Sequence, residues 1–208
     1  MKRGLFAAIF FAALALMAVL PCCNLMAQTS QPADTLDGSW KKITPNELKD
    51  NAFSLFGDDW MLLATGSRNE KNAMTISWGG LGVLWGRNVV TVYVSSSRYT
   101  YGLMEKNECF TVTAFPEEYR EALNYMGTKS GRDEDKFKNS GLTAQYTPAG
   151  HPAFAQARLL IECRKIYSAP FDMNKIIPKD VQDMYNRHAM GIHTMYIGEI
   201  LNVWVKNK

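Results

Sequence analysis

Residues 72–80 read NAMTISWGG, a short run of strand formers with a polar side chain at either end and glycines directly behind it. β-Branched and aromatic residues suit a pleated, half-buried surface, and glycine lets another group come close to the backbone. A flat ring could lie against such a strand end. Strand-end N–H groups would meet its carbonyl and imine acceptors, and Trp78 would lie along its apolar edge. A half-buried strand with a core tryptophan accounts for the same residues equally well. Outward from this stretch, residues 88–95 alternate cleanly. Val90, Val92 and Val94 fall on one side, and Thr91, Tyr93 and Ser95 on the other, which is a strand pattern. Further strands are predicted over 60–64, 73–78, 109–114, 157–166 and 193–205, with a glycine-rich bend at Gly79, Gly80 and Gly82.

Helices are few and short. Thr44-Pro45-Asn46-Glu47 is a capping box with proline at its first position, predicting a helix from there to near Gly57. Ser96 or Ser97 is expected to cap a second helix. Residues 116–126 give the clearest one, with Tyr119, Ala122, Leu123 and Met126 on a single stripe, Glu117 and Glu118 in the first turn and Gly127 as the stop. Another is expected over 178–185. Strands dominate, and no regular strand–helix alternation appears. The expected fold class is therefore mainly β (α+β), an antiparallel barrel with short peripheral helices rather than a doubly wound sheet.

A chain of 208 residues with 47% hydrophobic and 21% charged residues is an ordinary soluble globule in composition. Its formal charge of +3 falls to +1 once Lys2 and Arg3 are set aside, so charge offers no reason to expect nucleic acid as a partner. Lys2-Arg3, the apolar run 5–20, Pro21 and the small residue Ala27 before Gln28 read as a signal peptide over 1–27. The run is short for a membrane span, which needs roughly 20 residues. Cys22 and Cys23 raise a lipoprotein alternative, disfavoured because Pro21 and Cys22 stand where a small residue should sit. Residues 28–39 read as a flexible tether and 40–208 as one domain, in a protein exported to the periplasm or cell envelope. Cys109 alternates with Thr111 and Thr113, and Cys163 with Leu159 and Ile161, which puts the two cysteines on opposite sides of a barrel wall.

Dinucleotide-fold glycines, a phosphate-binding GxxxxGK[ST] loop, HExxH and CxxC are all missing from the sequence. His151, His188 and His193 have no recognised metal spacing, and no metal ligand or catalytic side chain is assigned. Two segments could hold an anion. SSSRYTY, residues 95–101, offers a helix start with the Ser97 and Thr100 hydroxyls and the Arg98 guanidinium. GTKSGRDEDKF, residues 127–137, offers Lys129, Ser130, Arg132 and Lys136, although Asp133, Glu134 and Asp135 offset the bases. Taken singly, the first also reads as a plain helix cap and the second as a solvated charged loop.

Taken together, N-x-M-T-x-S-W, S-R-Y-T-Y and G-x-K-S-G-R-D-x-D-K-F, in this order and followed by HTMYIGEI at 193–200, resemble the flavin reductase-like family, particularly its flavoredoxin-like branch. The resemblance covers about residues 58–205. It implies an FMN-binding split β-barrel, usually a homodimer with flavin near the subunit interface. It further implies that Asn72, Met74, Thr75, Ser77 and Trp78 line the isoalloxazine and ribityl. Ser97, Arg98 and Thr100 would meet the phosphate, and Lys129, Ser130 and Arg132 would close the pocket. His193 is a weaker candidate at the rim, with no proton-transfer role. Electrons would come from NAD(P)H or a protein donor and pass through FMN, with the protein supplying orientation and electrostatics. The alternative is an exported flavin-binding module without turnover of its own. A passenger exported unfolded would have to collect its flavin afterwards.

Overall fold

The computed structural model describes residues 36–187 and 191–207. The signal-peptide reading and residues 28–35 of the tether reading lie outside them, as does His188. Leu36, near the end of the stretch read as a tether, donates its amide to the Tyr146 carbonyl at 3.0 Å.

In chain order the elements are β1 (Trp40–Ile43), α1 (Ala52–Gly57), β2 (Met61–Gly66), β3 (Lys71–Ile76), β4 (Gly79–Leu84), β5 (Arg87–Ser95) and α2 (Tyr99–Lys106). There follow β6 (Cys109–Ala114), α3 (Arg120–Thr128), α4 (Lys136–Asn139), β7 (Ala144–Tyr146), β8 (Pro152–Phe154), β9 (Leu159–Pro170), α5 (Lys179–Arg187) and β10 (His193–Lys206). Pairing is antiparallel throughout, and the main sheet runs β3-β2-β6-β9-β10-β5-β4 with β1 added on β10. Its two outer strands, β3 and β4, are consecutive in the chain and joined only by Ser77 and Trp78. The barrel is thus open along one seam, and α1 closes part of it by burying Leu55 and Phe56 in the interior.

Both faces of the wall are buried. Met61, Leu63, Phe110, Val112, Ile161 and Tyr196 fill the interior. Leu62, Ala64 and Leu160 point outward into a second core under α3, α4 and the β7–β8 hairpin. Double burial explains why β2 is buried at every position. It also corrects the polar reading of one face of β6. Thr111 and Thr113 are fully buried and satisfied through their hydroxyls, which donate to the Pro152 carbonyl at 2.6 Å and the Leu62 carbonyl at 3.4 Å. Cys109 and Cys163 are free thiols; Cys163 pairs in register with Phe110 and Cys109 with Arg164, so the two point to opposite sides.

Three expectations change locally. The Thr44–Glu47 capping box forms, but it starts only a 3-10 turn. Leu48 is extended, and α1 begins later under its own cap, where Asn51 accepts from the Phe53 amide. The glycine-rich bend is strand β4, paired with β5 along its length, and Gly79 leaves room for the Phe56 ring, since a Cβ there would lie 2.3 Å from its Cε1. β4 and β5 are joined through Trp85 and Gly86, both at positive φ, which suits the twist of a two-residue hairpin. Finally, residues 116–126 split into a 3-10 turn (Glu117–Tyr119) and α3, which runs through Gly127 to Thr128.

Candidate functional site

The three segments quoted above, remote in sequence, meet on one side of the barrel. β3 supplies Asn72, Met74 and Thr75 from the seam edge of the sheet. α2 starts directly after β5, so its first turn lies beside them. α3 packs its end onto β3, where the Thr75 hydroxyl donates to the Leu123 carbonyl. That approach is close, since a Cβ on Gly127 would lie 3.1 Å from the Thr75 Cβ. The following loop turns back over β3 at Gly131. A Cβ there would lie 2.5 Å from Asn72 Oδ1 and 2.7 Å from Tyr99 Cδ1, so only glycine lets the loop, β3 and α2 touch at this point.

Two cavities result, and they share Met74 and Arg98. The first, about 280 Å³, is a cradle that includes Asn72, Ser97, Arg98, Thr100, Lys129, Ser130, Arg132 and Lys136. The second, about 180 Å³, lies along the end of β3 between Thr75, Ser77, Trp78, Tyr93 and His193. Every residue singled out from the sequence lines one or the other. Tyr99, Gly131, Lys136, Tyr93 and His193 complete the walls. Lys136 stood inside a quoted motif, but nothing in its spacing said that it would be buried.

Three of the four cations in the cradle are positioned by main-chain carbonyls. Arg98 Nη1 donates to Gly127 O at 3.0 Å, Arg132 Nη1 to Ser97 O at 3.0 Å, and Lys136 Nζ to Met126 O at 2.7 Å. A carbonyl orients a cation without neutralising it, so the positive field survives. Two acids of the loop have hydrogen-bond partners outside the cradle. Glu134 accepts from Tyr125 and from Asn139, and Asp135 caps α4 by accepting from the Phe137 and Lys138 amides. Glu134 still acts on Lys129 and Lys136 through its charge, so the acids offset the bases in part, as the sequence suggests. Burial, with the Arg98 charge alongside, draws the Lys136 ammonium down to about 8.

The helix cap also differs from expectation. Arg98, not Ser96 or Ser97, is the N-cap of α2, and no side chain caps that helix. The Ser97 hydroxyl shares a 2.9 Å hydrogen bond with the Ser95 hydroxyl. Asn72 Nδ2 donates to Thr100 Oγ1 at 2.9 Å, which leaves that hydroxyl a proton to give.

The second cavity is built from rings. Trp78 is 48% exposed and therefore not a core tryptophan. Its ring lies 5.1 Å from that of His193, whose Nδ1 shares a 2.9 Å hydrogen bond with the Tyr185 hydroxyl. Burial, and then the Arg98 charge, lower the affinity of His193 for a proton, so it is a neutral wall rather than an acid. Among the described residues no group of three or more His, Cys, Asp or Glu side chains is arranged to hold a metal ion.

The flavin reductase-like domain profile matches residues 53–208. The chain belongs to the flavin reductase-like family. Solved structures share its split-barrel fold at low identity. Flavoredoxin of Desulfovibrio vulgaris is 24% identical, with 71% of this chain and 69% of that one covered at a TM-score of 0.55. Flavoredoxin from Methanosarcina acetivorans is 21% identical, with 72% and 69% covered at 0.56. An FMN-binding domain of a flavin reductase-like enzyme from Shewanella baltica is 16% identical, with 82% and 79% covered at 0.58. No curated protein matches the chain by sequence. Family membership points to a flavin as cofactor of this member of the flavin reductase-like family.

Proposed function

We propose that this protein holds FMN in the joined cavities and acts as an oxidoreductase of the flavin reductase or flavoredoxin kind. The observation that carries the reading is the polarity of the groove, cationic and hydroxyl-rich at one end and flat, aromatic and half-exposed at the other. The donor set fits a phosphate. Arg98, Lys129, Arg132 and Lys136 bring charge, and Ser97, Ser130 and Thr100 bring hydroxyls. The second cavity fits a planar ring system, with the strand end at Thr75–Ser77 on one side and Trp78 on another. Bound FMN would supply hydride and electron transfer. The protein's own part is to orient the ring on β3, fix the phosphate in the cradle and place N–H donors where negative charge develops.

NAD(P)H or a protein partner is the proposed electron donor, and a homodimer the proposed assembly. Export through the leader over residues 1–27 belongs to the same proposal. A second reading, a flavin-binding module without turnover, is favoured by one observation: His193, the histidine of the groove, is engaged through Nδ1 by the Tyr185 hydroxyl and packed on the Trp78 ring. One experiment addresses both readings. The purified protein should be yellow, bleach on addition of NAD(P)H and recover in air. A yellow protein indifferent to nicotinamide leaves the binding module or a protein-fed carrier. A protein that takes up no FMN ends both.

A further inference from the structure

Behind Trp78 lies a third cavity that the flavin reading does not use. It measures about 700 Å³ and is walled by the end of β9 (Tyr167, Ala169, Pro170), by Phe171 and Ile176, by α5 and by Met195 of β10. Small-molecule sites fall in the range of roughly 300–1,000 Å³. We infer that this cavity binds a planar, largely apolar ring compound, seated beside the ring end of the groove.

The argument begins with α5. Val181, Met184 and Tyr185 form an i, i+3, i+4 stripe, and all three line the cavity. No residue of α5 is buried, so the apolar face of this helix covers the cavity instead of joining either core. The same lining leaves aromatic surface open: Trp78 is 48% exposed and Tyr167 43%. Aromatic faces at a concave apolar surface favour a flat ring that can stack on them.

The polar groups point the same way. The Tyr185 hydroxyl is already engaged with His193 Nδ1 at 2.9 Å, and the Asp172 carboxylate accepts from the Asn174 amide at 3.0 Å. Lys175, highly exposed, pairs loosely with the Asp172 carboxylate at 3.9 Å. A ligand rich in polar atoms would lose its water without recovering hydrogen bonds. A ring with one carbonyl or hydroxyl at its edge, directed to Lys175, would lose little.

The cavity is also tied to the groove. Trp78 lines both, and the Trp78–His193–Tyr185 rings stand in contact between them. Tyr93 of the groove touches Phe171 of the cavity, with ring centres 5.5 Å apart. The placement beside a flavin rests on the proposed function; the cavity and its apolar chemistry do not.

The test uses the full chain, flavin-free and FMN-loaded, with 1,4-naphthoquinone as probe and tryptophan quenching or calorimetry as readout. Saturable binding to the flavin-free protein is expected. Ala169→Phe and Val181→Trp fill the space from β9 and from α5, and each should weaken the probe at least about ten-fold while FMN affinity stays within about two-fold. Two filling variants guard against one that fails to fold, and FMN binding reports folding in each. Naphthoquinone binding without any FMN binding would remove the flavin reading and keep this one. Non-saturable binding, or equal affinity in both filled variants, would overturn it. So would a dimer that Ala169→Phe dissociates in a protein that never saturates with probe, because a second copy would then be the occupant.

Discussion

Arg98, Arg132 and Lys136 at one end of the groove are each held by a main-chain carbonyl, whereas at the other end a half-exposed indole rests on one neutral imidazole. The cradle is organised by main-chain carbonyls, and Arg98, Arg132 and Lys136 make no salt bridge to a carboxylate among the described residues. The ring end offers shape and stacking surface but few fixed donors. The difference divides the labour of binding. Anchoring strength should come from the cradle, and orientation from the ring end.

Replacing Arg98 by alanine should have the largest effect. Loss of a charge-assisted pair costs about 1.5–3 kcal/mol, so FMN should bind roughly 10- to 150-fold more weakly. Riboflavin, which lacks the phosphate, should bind as before in a fluorescence titration. If both ligands weaken equally, the two ends do not divide the work. Gly131→Ala comes next. The added methyl would collide with Asn72 and Tyr99, and overpacking of this kind costs roughly 1–3 kcal/mol, measurable by urea unfolding.

Lys136 gives a pH test. With its ammonium drawn down to about 8, FMN affinity should fall about ten-fold between pH 7 and pH 9 as the charge is lost. Riboflavin affinity should stay flat over the same range. The flavin-free protein should respond in the opposite sense. A lysine held below its usual value costs stability while it is charged, so resistance to urea should rise from about pH 8 toward 10.5, where the unfolded chain keeps the proton and the folded one does not. Trp78→Ala should do least, weakening FMN and riboflavin alike by roughly 0.5–1.5 kcal/mol of lost stacking. A larger loss for FMN than for riboflavin would mean that the ring end also shapes the cradle.

Part of this was legible in the chain. The alternation of 88–95 places Val90, Val92 and Val94 in the interior, where they are fully buried, because side chains on a strand have no choice but to alternate. The three motifs carried the family for a related reason. Close approaches such as Gly131 against Asn72 and Tyr99 admit few residue types, and such positions leave marks in sequence. Glycines also misled. Gly79, Gly80 and Gly82 looked like a bend, but they pair with β5 as strand β4, and the reason for glycine at 79, the Phe56 ring, is remote in the chain and close only in space.

The sequence by itself determined β2, β3, β5, β6, β9 and β10, the antiparallel class and the residues that could meet an anion, all of which follow from periodicity and residue chemistry within short windows; β1, β4, β7 and β8 were not legible in it. Tertiary structure alone decided that the threonine face of β6 would be sealed under a hairpin, that Trp78 would face the groove instead of the core, and that Lys136 would be buried against the Met126 carbonyl. Each of these depends on which distant element arrives at a surface, and desolvation and charge are properties of that meeting rather than of either segment alone.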